Sequence, residues 1–480
     1  MSVADQAGRG QGLYPSAVPR VSSTDLARLR EVLTGEVIEP GAPGYETARR
    51  PAMARFRHIR PRAVVRCASA DDVARTLGFA RGSGLHVVPR GGGHCFAGRS
   101  STGGIVLDLT PLRSVSVSPS GVATIGAGAR LAEVYDGLQE HGLTLPAGCG
   151  PTVGIAGLTL GGGLGILGRK YGLTCDRLLA AQVVLADGRI VDCDKYREPE
   201  LFWALRGAGG GQFGVVTSLA FDTVPAPEAT RFELTWSHAD AAAVVSAWQE
   251  WAPDAPDELS ANLKIVAAGT DGPAEVIMFG AMLGTEAETA ALIGELLRLV
   301  GAQPGYETRA SLPYRDLKRS LAALGSAEPA QPEPPEPVIS KSEFFRRSLP
   351  ASAITELLDT LVRDLAAGQH RELNFTPMGG AYNRVPADAT AFVHRAERFL
   401  LEHVTVHPGG SATASDAVAQ WVQRSWASVH PWGSVRVYPN FPDPDLTNWT
   451  EAYHGGNHAR LARVKRSYDP ERLLHFHQSI

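Results

Sequence analysis

Residues 148–176 read GCGPTVGIAGLTLGGGLGILGRKYGLTCD, ten glycines in 29 positions. A backbone this poor in Cβ atoms can pass close to a large flat ligand, turn through positive φ, or aim several N–H groups at one anion. Two further clusters share the pattern, RGGGH at 90–94 and GAGGGQFG at 207–214. Of the 52 glycines in 480 residues, 27 lie between 91 and 214, about half of them in about a quarter of the chain. The glycine is concentrated, so it marks a surface and not general looseness.

The segments around these clusters set the architecture. AVVRC (63–67) reads as a strand, and Ser69 with Asp72 three residues on opens a helix that runs to Gly82. LHVVP (85–89) is a second strand and leads straight into RGGGH, and GIVLDL (104–109) is a third. This order gives one α/β unit. VSVS (115–118) and VATIG (122–126) form a hairpin, and residues 129–142 form a helix with a stripe through Leu131, Val134, Tyr135 and Leu138 and a stop at Gly142. AAQVVLADGRIVDCD (180–194) is a hairpin turning at Asp187-Gly188, and VVTSLAF (215–221) is a strand. Beyond about residue 225 the glycine density falls. RFELTW (231–236), LSANLKIVAA (259–268) and AEVIMFGAML (274–283) alternate like strands, while 240–252, 286–302 and 351–366 read as amphipathic helices. That mixture predicts an antiparallel sheet backed by helices. A short helix is expected after Ser22-Ser23-Thr24 and another over Tyr453–Tyr468. Residues 1–22 read as a loose terminus and EPAQPEPPEP (328–337) as an exposed loop.

Composition removes several classes of function. The 46 basic residues against 50 acidic ones give a net charge of −4, with no excess to neutralise phosphates, so nucleic acid is not an expected partner. Five cysteines, Cys67, Cys95, Cys149, Cys175 and Cys193, are odd in number and never spaced C-x-x-C, which argues against a disulfide framework and a zinc site. No metal is expected. No window of 18 apolar residues reads as a membrane span, and MSVADQAGRGQGLYPS has no apolar signal core, so a cytoplasmic protein is expected.

GLGILG (163–168) and GGGQFG (209–214) both match G-x-G-x-x-G, which raises a dinucleotide-binding reading and an NAD(P)-dependent dehydrogenase. That fingerprint requires a strand leading in and a helix leading out. Residues 154–162 do not read as a strand, and GGGQFG runs into one. Taken together, the three clusters resemble something more specific. Arg90-Gly91-Gly92-Gly93-His94 resembles the R-x-G-G-H loop of the berberine-bridge-enzyme-like branch of the vanillyl-alcohol-oxidase-type FAD-linked oxidases. Residues 151–163 with Tyr171-Gly172-Leu173 and Asp176 resemble its second flavin segment, and 203–217 its third, where Gln212 replaces the usual Asn. Tyr438-Pro439-Asn440-Phe441, Asp443, Tyr453, Lys465, Tyr468-Asp469-Pro470 and Gln478-Ser479-Ile480 resemble its C-terminal segment.

The resemblance implies an α+β, two-lobed protein. A PCMH-type FAD-binding domain spans 1–223, a substrate domain 224–432, and a C-terminal berberine-bridge-like segment, 433–480, returns to the FAD domain. It implies FAD as cofactor, held by Arg90, Gly91, Gly92, Gly93, His94 and Gly98 in the first loop. In the second segment the implied contacts are Gly148, Cys149, Thr152, Val153, Gly154, Gly157, Leu158, Gly161 and Gly163. Gly211, Phe213, Gly214 and Val216 supply the third, with Tyr438 and Asn440 from the C-terminal segment. His94 is the residue implied to bond to the flavin 8α carbon, a neutral imidazole nitrogen being nucleophilic near pH 7. Many members add a cysteine bond within G-x-C-P-T-V-G. Here Cys149 stands one place early and Gly150 takes the usual position, which argues against a second bond because a thiolate must be aimed.

Oxidation of an alcohol or amine through a flavin needs a hydride acceptor and a base. By resemblance Tyr438 is the candidate base and Asn440 orients it. A phenol titrates near pH 10 and so needs a cationic or dipolar neighbour. Arg436, on the same side of an expected strand, is the candidate cation. Tyr382, in an expected strand facing the flavin, is a second base or a substrate contact. Some plant members carry a catalytic Glu two places after Tyr382. Arg384 stands there, so a carboxylate base of that kind is not expected. Val153, small and apolar at the oxygen-gating position, implies an O2-using oxidase acting on a small molecule. Sugar oxidation and the tailoring of a secondary metabolite both remain open.

Overall fold

The computed structural model describes residues 23–269, 274–325, 338–406 and 412–480. The expectations for 1–22 and 328–337 lie outside the described residues.

The glycine-rich half is built on two sheets. In the first, Ala63–Arg66 and Val87–Arg90 flank Ile105–Asp108 in parallel, and Glu36–Ile38 pairs antiparallel at the edge. The crossover helix, Ala70–Ser83, starts where Ser69 Oγ accepts from the Asp72 N–H at 3.2 Å. It stops at Gly84, whose φ of +66° favours a residue without a Cβ. The second sheet is antiparallel, in the order Val115–Val117, Val122–Gly126, Val215–Asp222, Leu178–Val184, Ile190–Asp194. One core runs through both sheets, with Val65, Leu107, Ile125, Val183 and Leu219 buried in it. Leu461, Val464, Leu474 and Ile480 belong to the same core, so the end of the chain packs on this half. Gln212 contributes to that closure: its Oε1 accepts from the Ile480 N–H at 2.9 Å, and its carbonyl accepts from buried Lys465.

The other half is a seven-stranded antiparallel sheet. Its order is Tyr306–Pro313, Glu228–Ser237, Glu275–Met282, Leu259–Ala268, His370–Pro377, Phe399–Val406, Val338–Phe345. Alternation along the strands sends Leu263, Leu373, Phe375 and Leu401 to one face. Helices Ala241–Trp251, Glu286–Val300 and Ala351–Val362 cover that face with Val244, Trp248, Ile293, Leu296 and Leu357, and Trp421 joins them. Each such fully buried large side chain stabilises by roughly 1.5–3 kcal/mol. The other face of the sheet, with Lys264, Asn374 and Glu402, looks toward the glycine-rich half.

Polar clamps hold the halves together. Arg395 pairs with Asp176 through two hydrogen bonds, 2.8 and 2.6 Å, both side chains almost fully buried. Arg169, 1% exposed, donates to Pro253 O at 3.0 Å and also to Ala255 O and Met378 O. Gly168 must be glycine, because a Cβ there would sit 1.8 Å from the Tyr382 hydroxyl oxygen.

As expected, neither G-x-G-x-x-G match lies in a strand–turn–helix: Ile155–Leu160 before GLGILG is a helix, and GGGQFG enters the strand Val215–Asp222. Other expectations change. Tyr382 sits on a four-residue helix, Ala381–Arg384, and not on a strand. Tyr438 lies in an irregular segment, and the C-terminal helix begins later than expected, at His458.

Candidate active site

Between the glycine clusters and the open face of the large sheet lies a cavity of about 840 Å³. Its size falls in the usual range for a cofactor or ligand site. Two loops of the glycine-rich half meet backbone to backbone at its wall. A Cβ on Gly92 would lie 2.3 Å from Gly154 N and 2.8 Å from Thr152 O, and a Cβ on Gly154 would lie 2.5 Å from Gly92 N. Across this contact His94 Nε2 and Thr152 Oγ1 share a hydrogen bond of 2.9 Å, which fixes the imidazole at the cavity edge. Gly211, at φ +73°, passes above Pro89 as the third side of the cradle.

Most of the sequence-predicted residues come together here. Gly91, Gly92, Gly93 and His94 line the cavity with Gly148, Cys149, Thr152, Val153, Gly154, Gly157 and Leu158. Gly211, Gly214 and Val216 line it from the third cluster, and Tyr382, Tyr438 and Asn440 close it. Five predicted residues do not line it. Arg90 turns inward, donating to Ala48 O at 3.0 Å, Arg49 O at 3.1 Å and Ser100 O at 2.9 Å, so it braces the loop from behind. Burial lowers its guanidinium to about 10. Gly98 sits against the ring of Phe56 at φ +69°, and Phe213 is a core residue. Gly161 leaves room for Asn440, whose Oδ1 would lie 2.1 Å from a Cβ there, and Gly163 presents its N–H to Tyr438.

The Tyr438 hydroxyl is enclosed by donors. Its oxygen accepts from Gly163 N at 3.0 Å, Leu164 N at 3.1 Å and Asn440 Nδ2 at 3.0 Å. Asn440 is itself held through Leu158 O at 2.8 Å. The expected help from Arg436 is absent, because that guanidinium pairs with Glu451. Burial pushes the Tyr438 phenol up to about 12, against the pull of these hydrogen bonds. Tyr382 is tied into the backbone as well, donating to Gly165 O at 2.7 Å and accepting from Gly165 N at 3.1 Å, and burial raises its phenol further.

A carboxylate reaches the cavity from a place the sequence reading passed over. Arg384, two places after Tyr382, pairs with Asp257 at the surface. Glu402 on the strand Phe399–Val406 lines the cavity instead. The register sets it in a row, Lys264 opposite Asn374, Asn374 opposite Glu402, and Glu402 opposite Ser342. Glu402 Oε1 and Asn374 Oδ1 are buried without a hydrogen-bond partner. Burial pushes the Glu402 carboxyl up to about 7, helped by the nearby Glu372 carboxylate and against the pull of Lys264 and of hydrogen bonds from the Ser340 and Asn374 side chains. Glu372 is held low instead: burial works against it, but His370 Nε2 at 2.7 Å and Lys264 Nζ at 3.3 Å outweigh that. The signal was present in FLLEHVTV, an apolar strand carrying a Glu and a His at its centre.

Cys149 also faces the cavity, but its Sγ lies 3.4 Å from Lys318 Nζ. At the neighbouring position a Cβ on Gly150 would meet Val153 Cγ2 at 2.9 Å.

Such a wall of backbone, with a histidine at its edge, suits a large flat cofactor, and the known proteins agree. A family model described as FAD binding domain matches residues 61–194, and one described as berberine and berberine like matches 437–480. The FAD-linked oxidoreductase YgaK of Bacillus subtilis is 33% identical, over 93% of this chain and 97% of its own length. A chitooligosaccharide oxidase of Gibberella zeae is 28% identical, over 97% of this chain and 96% of its own. Among solved structures, the glucooligosaccharide oxidase of Acremonium strictum, described with a 6-S-cysteinyl, 8α-N1-histidyl FAD, superposes with a TM-score of 0.85. It shares 25% identity over 95% of this chain and 98% of its own. Fold, cradle and sequence converge, and the chain belongs to the berberine-bridge-enzyme-like family of FAD-linked oxidoreductases.

Proposed function

We propose that this protein is an O2-using oxidase that takes a hydride from a C–H bond beside a hydroxyl, hemiacetal or amine of a small molecule and releases H2O2. The observation that carries the reading is the pair of groups facing one cavity from opposite halves: the glycine cradle with His94 on one side, and on the other the Glu402 carboxyl, whose Oε1 has no hydrogen-bond partner. FAD, when bound, supplies the two-electron acceptor for the hydride. His94 is the residue that holds it covalently in this reading. The resemblance and the histidyl bond described for the Acremonium oxidase support that assignment.

Glu402 acts as the base. Its carboxyl, pushed up to about 7, ionises far more readily than the Tyr438 phenol, pushed by burial up to about 12, and its Oε1 faces the cavity without a partner, so in this reading Glu402 removes the proton. Glu402 Oε1 accepts the proton of the substrate O–H or N–H. The Tyr438 hydroxyl, fixed by three donors, orients the substrate beside it. Asn374 Oδ1, next in the row, takes a second substrate donor.

Val153 and Leu158 give an apolar approach for O2 on the cradle side, which supports oxidase over dehydrogenase. Tailoring of a secondary metabolite remains our reading of the pathway role. A second reading, sugar oxidation, is favoured by one feature: Ser260, Asn262, Lys264, Asn374 and Thr376 make the sheet wall polar, as a polyhydroxylated substrate requires. The test is peroxide release screened across sugars, alcohols and amines, followed by Glu402→Gln on the best substrate. The expected loss of turnover is about 10²–10⁴-fold, together with loss of the rise in rate through pH 7. Unchanged turnover in Glu402→Gln refutes the assignment of the base.

A further inference from the structure

Helix Tyr314–Gly325 belongs to the substrate half and lays Leu317 and Leu321 against Ile166, Leu167 and Phe279. From the same helix Lys318, 4% exposed, reaches into the cavity loop of the other half. Its ammonium donates to Ala147 O at 3.0 Å and Gly148 O at 2.7 Å, and Cys149 Sγ stands 3.4 Å away. The rings of Tyr135 and Tyr314 lie over it at 4.5 and 5.9 Å. Asp136, an acid within reach of this helix, is engaged by Arg315 and Arg319. The flavin reaction proposed above uses neither Lys318 nor Cys149.

Lys318 Nζ donates to Cys149 Sγ at 3.4 Å, so nitrogen and sulfur already stand at the separation of reacting atoms, and loss of one ammonium proton frees the nitrogen lone pair beside the sulfur. Cys149 opens to the cavity, where an oxidant as small as peroxide can reach it, while Cys67, Cys175 and Cys193 are buried. We propose that Cys149 and Lys318 form a peroxide-driven sulfur–nitrogen cross-link that locks the substrate-half helix to the cavity loop. In the first step Cys149 sulfur attacks hydrogen peroxide. An S–O bond forms, the O–O bond breaks, one water leaves, and the thiol becomes a sulfenic acid. In the second step the Lys318 ammonium gives up a proton to water and its amine attacks that sulfur. An S–N bond forms and the sulfenic hydroxyl leaves as a second water. The thiol and amine together lose two hydrogens, and one peroxide is reduced to two waters. A thiol reductant reverses the link. Lys318 thus intercepts Cys149 before irreversible over-oxidation, and the closed link ties the two walls of the cavity together.

The inference does not rest on the oxidase reading, because the peroxide is supplied. Purified holoprotein is treated with a small excess of hydrogen peroxide and compared with untreated protein by intact mass and peptide mapping. The expected product is a chain lighter by two hydrogens, with the Cys149 and Lys318 peptides joined. The joint is restored to separate peptides by dithiothreitol and is missing in Lys318→Met and Cys149→Ser. Cys95, on the same cavity wall, is the internal reference, and its oxidation products carry no lysine. The wild-type protein alone decides the matter if a variant folds poorly. Cys149 recovered as sulfinic acid with Lys318 unmodified, Cys149 left as a free thiol while Cys95 oxidises, or Cys149 already bonded to flavin before treatment each overturns the proposal.

Discussion

Replacing Tyr438 by Phe removes one oxygen from the centre of the molecule and leaves the ring in place among Phe344, Phe392 and Phe441. That oxygen is the shared acceptor for Gly163 N, Leu164 N and Asn440 Nδ2, at 3.0, 3.1 and 3.0 Å. Asn440 keeps its second bond, to Leu158 O, and so loses little. The two backbone N–H groups have no such alternative. A buried donor left without a partner costs about 1–3 kcal/mol, so the pair predicts about 2–6 kcal/mol, with water entering from the cavity favouring the lower end. The assay is urea unfolding followed by far-UV circular dichroism, with Tyr438→Phe and its parent compared in a His94→Ala background freed of flavin, so that altered flavin loading does not contribute. A double-mutant cycle with Asn440→Ala adds a second number, a coupling of about 0.5–1.5 kcal/mol for one hydrogen bond. A Tyr438→Phe protein within about 0.5 kcal/mol of wild type, with no coupling to Asn440, refutes the three-donor arrangement and with it the assignment of Tyr438 as an orienting group.

Gly154→Ala places a Cβ 2.5 Å from Gly92 N, a backbone atom that cannot swing away, so the two cradle loops separate. The expected outcome is at least about 1–3 kcal/mol of destabilisation and reduced FAD content, read from unfolding and from the flavin-to-protein absorbance ratio. Acid should weaken the fold through buried histidines. His403 and His454 are held by burial down to about 3, against about 6.5 in the unfolded chain. The unfolded state therefore binds more protons below pH 6.5, and stability falls as pH drops toward 3. Glu402, held up near 7, acts in the opposite sense between about 4.5 and 7, one group against two. The net loss from these groups between pH 7 and 4 is on the order of 3 kcal/mol, and a urea midpoint that stays level over that range contradicts it.

The parts of this fold that the sequence made legible are those where local chemistry and burial agree. Ser69 with Asp72, the Asp187-Gly188 turn, and the alternation of LSANLKIVAA each produced the element expected. Four strands of the large sheet were not read. His370–Pro377 carries Glu372, Asn374 and Thr376 on the cavity face, so its pattern looks like an exposed strand or a loop, and Phe399–Val406 is buried on both faces and shows no alternation. The same polar residues that obscured these strands form the substrate wall. Glycines were legible as a cradle because no side chain fits where Gly92 meets Gly154. Which of them touch the cavity was not, since Gly161 and Gly163 look identical in sequence to Gly154 and Gly157 yet serve Asn440 and Tyr438. Arg90 shows the same limit: only the fold reveals that it braces the loop from behind.

Denaturing the purified holoprotein in acid, precipitating it, and asking where the yellow colour goes is the most direct test of FAD held through His94 across the glycine cradle. Colour and a flavin mass increment should stay on the polypeptide, mapped to the peptide containing His94. The flavin should be released from His94→Ala and retained in Cys149→Ala. Colour in the supernatant of the wild-type protein, or flavin still bonded in His94→Ala, contradicts the His94 bond.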